Sequence, residues 1–225
     1  MESKGLQFTA LHCSLAAVVS AIVALISVTN HGKTIQDLSW GVVHYKESST
    51  RFQFNFGITG VYLTETTTTN VGTTTTTSVV TDLVRYSDCN ESFCHPCHNS
   101  MQDVYGLLIG FFIVCIFAVG TNLTRNFYAN TIVTKSACLA VSVVALILGI
   151  ASVSKFANTC FSDVKDYFGG GTDISYSAGP ACDVLIVALS LMFFEILVNA
   201  FVGIESDSDA PAMEMKAIPQ HDSTV

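Results

Sequence analysis

The stretch VYGLLIGFFIVCIFAVGTNL, residues 104–123, decides the fold of this chain. It contains neither a charged residue nor a proline over the length that a helix needs to cross the hydrocarbon core of a bilayer, about 20 residues. Three further runs, residues 8–28, 136–153 and 183–203, are almost as apolar and also lack proline. The sequence therefore predicts a membrane all-α four-helix bundle.

The composition of the 225-residue chain fits this prediction. Hydrophobic residues make up 50% of it and charged residues only 12%, whereas a soluble domain carries about 25% charged residues. Half of the formal net charge of −8 comes from the tail after Gly203, which has five acidic residues and one lysine. Because an acidic surface repels nucleic acid and anionic lipid, we expect no nucleic-acid partner.

The short segment between the second and third runs sets the expected orientation. It carries Arg125 and Lys135 and no acidic residue, and short positively charged loops stay in the cytoplasm. We therefore expect a multi-pass plasma-membrane protein with both termini in the cytoplasm. No small-residue cleavage pattern follows the first run, so we expect it to remain as a membrane helix. The segments outside the four runs are then cytoplasmic residues 1–7, 124–135 and 204–225, the last of them a disordered tail, and extracellular residues 29–103 and 154–182.

The first extracellular loop contains a strand pattern. Polar and apolar residues alternate over residues 51–58, and a period of two indicates a half-buried strand. The apolar positions on one face are Phe52, Phe54, Phe56 and Ile58. The alternation changes phase at Gly57 and Gly60, where we expect a β-bulge.

A threonine tract follows, ETTTTNVGTTTTTSVV at residues 65–80. Threonine favours strands, and Asn70-Val71-Gly72 at its centre suits a turn, so the tract predicts a β-hairpin. The alternative is a flexible, O-glycosylated segment, but such segments are rich in proline and the first proline of the chain is Pro96. We favour the hairpin, which places a small antiparallel β-sheet in the first extracellular loop.

Five cysteines lie in the predicted extracellular loops, where oxidising conditions favour disulfides. They are Cys89, Cys94, Cys97, Cys160 and Cys182. Cys160 and Cys182 flank the second loop, so we expect a disulfide between them. Two of the other three are expected to pair, and the third to stay free or to bond another chain. On the same side, Asn90 begins an N-glycosylation sequon.

The motif CHPCH at residues 94–98 allows two other interpretations. C-x-x-C-H is the attachment sequence of a c-type haem, in which Cys94 and Cys97 form thioether bonds and His98 is the axial ligand. A zinc site that adds Cys89 is also chemically feasible. A membrane-anchored haem protein is thus an alternative. Disulfides are favoured because no haem-binding domain surrounds the motif, and we expect no cofactor.

Glu195 is an acidic residue deep inside an apolar run, and Asn199 lies one helical turn later on the same face. A carboxylate at the bilayer centre costs about 2.5–3.5 kcal/mol, so this pair needs partners. One interpretation is an ion or proton path in a small channel or transporter. We favour a polar contact that fastens the fourth helix to its neighbours, because the other runs offer few polar side chains.

The last residues, Ser223, Thr224 and Val225, match a PDZ ligand. A PDZ domain adds such an end to its sheet as a strand and holds the terminal carboxylate. We therefore expect a cytoplasmic scaffold as a partner. The sequence has no nucleophile elbow, phosphate-binding glycine loop or HExxH motif, so we expect a protein that is not an enzyme.

Four spans, cytoplasmic ends, a large first outer loop with a strand pattern and a PDZ-type end together resemble the claudin and PMP22-like tetraspan superfamily. That group includes claudins, calcium-channel gamma subunits, amastins and fungal Sur7-type proteins. Trp40 would correspond to the tryptophan of the family's first loop, and Phe56-Gly57-Ile58-Thr59 lies where claudins carry Gly-Leu-Trp. The resemblance implies cell-surface adhesion at junctions, membrane organisation or an auxiliary-subunit role. Its partners would be membrane or extracellular proteins, or further copies of the chain.

Overall fold

The computed structural model describes residues 2–27, 32–71, 74–128, 130–169 and 173–202. The helices are α1 (Glu2–Ile26), α2 (Gly32–Asp37), α3 (Cys94–Phe127), α4 (Ile132–Lys155), α5 (Phe161–Phe168) and α6 (Pro180–Phe201), and a π-helical turn, Phe156–Cys160, joins α4 to α5. The strands are β1 (Gly41–Glu47), β2 (Thr50–Phe56), β3 (Gly60–Val71), β4 (Thr74–Arg85) and β5 (Ile174–Ala178).

Four helices are long and apolar enough to cross a membrane: α1, α3, α6, and α4 with its continuation into α5. The prediction of four long apolar helices is confirmed. Helix α1 packs against α3 and α6, and α4 packs against the same two helices. The four helices therefore form a ring in which α1 is diagonal to α4, and α3 is diagonal to α6.

Small residues allow the helices to approach closely. Ala17, Ala21 and Ala24 of α1 are fully buried. A methyl group on Gly149 of α4 would lie 2.3 Å from the Leu189 side chain of α6. Helices surrounded by lipid associate through this kind of close packing, since lipid tails are as apolar as leucine.

Two helices extend well beyond the apolar runs. Helix α3 begins at Cys94, inside the CHPCH motif, and its buried residues Cys97, Met101 and Val104 continue the spacing of three and four residues along its inner face. Helix α4 continues through the π-helical turn into α5, so residues 154–168 of the predicted second loop are helical. Both extensions carry polar residues on their outer faces, which is why hydropathy alone ends them early.

The five strands form one antiparallel sheet in the order β4-β3-β2-β1-β5. Strands β1 to β4 precede α3 in the chain and β5 precedes α6, so the segments after α1 and after α5 both contribute. The threonine hairpin is confirmed, because β3 pairs with β4 from Gly60–Arg85 to Val71–Thr74. Asn70 and Val71 belong to the strand, and residues 72 and 73 lie outside the described residues.

The expected β-bulge at Gly57 and Gly60 is wrong. The chain reverses at this point, since the Gly57 N–H donates to the Gly60 carbonyl at 2.9 Å and Phe56 pairs with Val61. The phase change in the sequence therefore marks a tight turn between β2 and β3. Tyr86 holds the turn by donating from Oη to the Gly57 carbonyl at 3.0 Å. Burial raises the pKa of Tyr86, so the phenol keeps the proton that it donates.

One face of the sheet packs against α5 and the residue before α3. The rings of Phe54 and Phe168 lie 4.8 Å apart, and those of Phe56 and Phe93 lie 6.0 Å apart. Phe52 stacks on Phe54, which confirms that the alternating phenylalanines share a face. Ile58, expected on the same strand face, instead lies in the turn. The opposite side of the sheet, called the outer face below, points away from α5.

Candidate functional site

The sheet joins the bundle at Trp40, which is fully buried. Its indole Nε1 donates to the Ser27 hydroxyl, directly after α1, at 3.0 Å. Its ring meets Phe156 of the π-helical turn with centroids 5.6 Å apart, and its main-chain N–H donates to the Phe56 carbonyl at 2.7 Å. Trp40 therefore connects β2 to two helical elements.

A close contact between Ser39 and Gly179 fixes the start of α6 at the same junction. The Ser39 carbonyl oxygen accepts from the Ala181 N–H at 2.9 Å, and the Gly179 N–H donates to the Trp40 carbonyl at 2.9 Å. A methyl group on Gly179 would lie 2.3 Å from the Ser39 carbonyl oxygen. Only glycine leaves room for this approach of two backbones.

Two disulfides reinforce the junction. Cys97 of α3 bonds Cys160 of the π-helical turn, and Cys89 bonds Cys94 at the start of α3. The expected Cys160–Cys182 disulfide is wrong, because Cys182 is a buried free thiol in the first turn of α6. The π-helical turn packs against α3, α4 and α5, which directs Cys160 toward α3. Two of the trio Cys89, Cys94 and Cys97 pair as expected, but the third, Cys97, is bonded within this chain and is neither free nor bonded to another chain.

These bonds bear on the CHPCH motif. The sulfur atoms of Cys94 and Cys97 are both in disulfides. A sulfur in a disulfide cannot also form a haem thioether bond or bind zinc as a thiolate. His98 is half-buried on α3, where its Nε2 lies 3.0 Å from Gln102 Nε2. The geometry therefore supports the disulfide interpretation of the motif.

Asn90 lies in the short loop that the Cys89–Cys94 disulfide closes, and its side chain is exposed. The neighbouring Glu91 accepts a hydrogen bond from Tyr167 Oη of α5 at 2.7 Å, which holds the loop against α5. Glycosylation of Asn90 stays a prediction. The PDZ-type end, Ser223, Thr224 and Val225, lies outside the described residues.

Strand β4 forms one edge of the sheet, and residues 75–82 along it are exposed. Val79 and Val80 point to opposite faces, and each exposes 60% of its surface. In the described ranges no further strand pairs with this edge. Alternate backbone N–H and C=O groups of β4 are therefore open to a partner.

A second candidate site lies inside the bundle, toward the ends of the long helices that are farther from the sheet. We call it the polar cluster, and its side chains are at most 3% exposed. Its members come from all four long helices: Ser14, Asn122, Arg125, Cys138, Ser142, Glu195 and Asn199. Buried polar groups need hydrogen-bond partners, so the bonds within this set define the site.

Glu195 lies at the centre of the polar cluster. Its Oε1 accepts hydrogen bonds from Asn122 Nδ2 at 2.7 Å and from Ser142 Oγ at 2.8 Å. Its Oε2 has no hydrogen-bond partner among the described residues. Glu195 therefore fastens α6 to α3 and α4, and one of its oxygens is left with unused acceptor capacity.

Arg125, expected in a cytoplasmic loop, lies in the last turn of α3 and is only 3% exposed. It donates from Nη1 to Asn199 Oδ1 and from Nε and Nη2 to Asn130 Oδ1, at 3.1 and 3.0 Å. Lys135, the other expected loop charge, donates to two main-chain carbonyls at the end of α6. Lys135 therefore stabilises the end of α6, whereas Arg125 joins the last turn of α3 to the Asn199 side chain of α6.

Cys138 and Ser14 complete the network. The Cys138 thiol lies 3.3 Å from Asn122 Oδ1 and 3.4 Å from Asn199 Nδ2, where it can donate to the first and accept from the second. Asn122 Nδ2 also lies 3.4 Å from Ser14 Oγ of α1. Every long helix thus contributes at least one polar side chain.

Sequence reasoning finds Glu195 and Asn199 in this site but misses Asn122 and Arg125. Asn122 is the second-last residue of an apolar run and Arg125 comes just after that run, where a loop is expected to begin. The available signal is periodic: positions 118, 122 and 125 continue the inner-face spacing of α3. Following that spacing to the end of the apolar run and beyond it predicts that both side chains lie inside the bundle.

No protein-family model matches this chain, and no curated protein matches it. The family resemblance drawn from the sequence therefore stays an expectation. Function is accordingly inferred from the geometry of the sheet and of the polar cluster.

Proposed function

We propose that this chain is a non-enzymatic plasma-membrane protein whose sheet makes contacts at the cell surface, in adhesion, membrane organisation or an auxiliary-subunit role. The observation that carries the proposal is the open edge of β4, where Val79 and Val80 are each 60% exposed. An open edge binds a partner by adding a strand, so that main-chain hydrogen bonds give affinity and side chains give selectivity. Proteins usually cover or shorten an edge of this kind unless it has a partner.

The attachment of the sheet supports this role. Trp40, the Ser39–Gly179 contact and the Cys97–Cys160 disulfide tie the sheet to helical elements on several sides. A surface held in this way meets a partner in one orientation, which lowers the entropy lost on binding.

The proposed orientation has the sheet outside the cell and both termini inside. Arg125 and Lys135 lie at the end of the bundle opposite the sheet, in agreement with the positive-inside rule. The disulfides lie on the sheet side, which is oxidising if it faces outward. This orientation allows glycosylation of Asn90 and leaves the PDZ-type end, residues 223–225, to a cytoplasmic scaffold. The resemblance to the claudin and PMP22-like superfamily agrees with the same arrangement.

The test compares full-length variants expressed at equal surface levels in suspended cells. We expect Val79→Lys combined with Val80→Lys to abolish cell aggregation and surface cross-linking, because lysines on an edge strand prevent strand addition. Thr77→Ser, on the same exposed strand, adds no lysine and leaves both valines in place, so it is expected to behave like the wild type. Unchanged aggregation and cross-linking by the double variant would show that the β4 edge is not the contact.

A second candidate function is ion or proton passage through the polar cluster. The observation in its favour is that side chains of four helices converge on Glu195, whose Oε2 lacks a partner within the described residues. Polar groups on several helices are typical of such paths. Ion or proton flux into vesicles that contain purified protein tests it. Loss of flux in Glu195→Gln, with flux retained in the exposed-face control Ser190→Ala, would favour passage, and no flux in the wild type would exclude it.

A further inference from the structure

The outer face of the sheet carries a cleft of about 580 Å³, separate from the β4 edge. Its volume is within the range of small-ligand sites, about 300–1,000 Å³. The cleft spans the middle strands β1, β2 and β3 and the edge strand β5. The polar side chains that line it include His44, Lys46, Arg51, Gln53, Thr64 and Thr66.

The cleft contains an unneutralised pair of cations. Lys46 of β1 and Arg51 of β2 are direct cross-strand partners, so both side chains project from the same face. Like charges directly opposite one another destabilise a sheet unless something compensates them. Among the described residues neither side chain forms a salt bridge or a hydrogen bond. Asp173 lies beside Lys46 at the rim of the cleft. Because there is one acidic side chain for two basic ones, the net charge of these three residues is positive.

Neutral polar side chains line the same cleft beside the two cations. Thr64 pairs with Gln53, which in turn pairs with His44, so these three residues form a polar row next to the two cations. The accessible side chains of this row can offer hydrogen bonds to a ligand that the cations hold.

We infer that this cleft binds a sulfated glycan. The Arg51 guanidinium matches a sulfate group in a bidentate manner and Lys46 adds a second positive charge. The Gln53 amide and the Thr66 hydroxyl suit the hydroxyl groups of a sugar chain. A free inorganic anion would occupy a small part of the 580 Å³.

The position of the cleft favours a glycan over an acidic peptide. The main-chain groups of β1, β2 and β3 are already paired with one another. A peptide placed over them gains no strand pairing, which is the usual source of its affinity for a sheet. The inference rests on the outward orientation proposed above and is independent of the β4 edge contact.

The experiment uses full-length protein in nanodiscs of phosphatidylcholine and a fluorescent heparin-derived hexasaccharide. We expect the wild type to bind it, and Arg51→Gln and Lys46→Gln each to weaken binding about tenfold, the loss expected for one charge-assisted contact. Arg85→Gln removes an exposed cation at the other end of the sheet and is the matched control, with wild-type affinity. Unfolding temperatures equal to that of the wild type confirm that the variants are folded.

Two further probes decide the chemistry. A desulfated hexasaccharide is expected to bind at least about tenfold more weakly, and a glutamate-rich peptide more weakly than the sulfated chain. The inference is overturned by absent wild-type binding, by equal affinity of Arg51→Gln, by equal affinity for the desulfated chain or by tighter binding of the peptide. Binding in nanodiscs without binding to intact expressing cells would instead overturn the proposed orientation. Failure of the β4 aggregation test leaves the expected hexasaccharide binding unchanged.

Discussion

Asn122 Nδ2 lies 2.7 Å from Glu195 Oε1 and donates a hydrogen bond that joins two diagonal helices of the bundle, α3 and α6. Each of these helices packs mainly against α1 and α4, so this bond crosses the centre of the ring. The two side chains are 1% and 0% exposed. A directional bond between groups that lipid cannot satisfy fixes the relative height of the two helices, which apolar packing specifies less strongly.

The first prediction concerns Glu195. Replacing it with Ala removes the acceptor for Asn122 and Ser142 and leaves a cavity in the polar cluster. We expect the free energy of unfolding to fall by about 2–4 kcal/mol. Glu195→Gln keeps a carbonyl oxygen at this position and is expected to lose less than about 1.5 kcal/mol. Unfolding in detergent, followed by intrinsic fluorescence, measures both variants.

Ser190→Ala is the control for this series, because the Ser190 hydroxyl bonds only to the Ile186 carbonyl of its own helix and lies on the exposed face. It is expected to unfold like the wild type. If Glu195→Ala is equally stable, the polar cluster does not hold the bundle together.

The second prediction contrasts a buried cation with an exposed one. Arg125→Met withdraws the donors that reach Asn199 and Asn130 and is expected to cost about 3 kcal/mol of unfolding free energy. Arg125→Lys restores the charge but not the planar fork, so we expect it to recover only part of the loss. The same detergent unfolding measurement gives both values.

Lys155→Met provides the comparison for Arg125. Lys155 forms a 2.9 Å salt bridge with Asp103, but the two side chains are 42% and 60% exposed. Exposed ion pairs contribute about 0–1 kcal/mol, so this variant should change stability little. Equal losses for Lys155→Met and Arg125→Met would contradict the interior position of Arg125.

The sequence predicts the features that a local pattern determines. Four apolar runs give four long helices, because an apolar run of about 20 residues with few charged side chains is typical of a helix long enough to cross a membrane. The phenylalanine alternation and the threonine tract give strands, because side chains on a strand alternate between its faces. Strand β5, ISYSA, is short and polar, and only its pairing with β1 makes it a strand.

The candidate sites depend on contacts between distant residues and were only partly predictable. Cys97 and Cys160 are 63 positions apart, and they meet because α4 continues past its apolar run into the π-helical turn. From the sequence, Arg125 is expected in a loop. Only the folded structure brings Asn199, 74 positions away, close enough to accept its hydrogen bond. Lys46 and Arg51 form a pair only through the register of β1 with β2.

The third prediction tests the junction between sheet and bundle. Gly179→Ala places a methyl group 2.3 Å from the Ser39 carbonyl oxygen, so one of the two backbones must move. We expect a loss of about 1–3 kcal/mol in unfolding free energy, together with faster proteolysis of the sheet. Gly106→Ala is the matched control, since no heavy atom lies within 4 Å of its added methyl group. Alanine is the better helix former, so Gly106→Ala should be neutral or stabilising.

The fourth prediction separates the two disulfide arrangements. Cys97→Ser breaks the bond to Cys160, which closes a loop with a sequence separation of 63 residues. Loop-closure entropy for that length gives an expected loss of about 4 kcal/mol, and a reducing agent should lower the stability of the wild type but affect this variant much less. Cys182→Ser leaves both disulfides intact and should remain sensitive to reduction, because Cys182 is a free thiol.

Mass spectrometry of non-reduced peptides identifies the linkages directly. Because one sulfur forms only one disulfide, a peptide that links Cys160 to Cys182 in the wild type would mean that Cys97 does not hold the π-helical turn against α3.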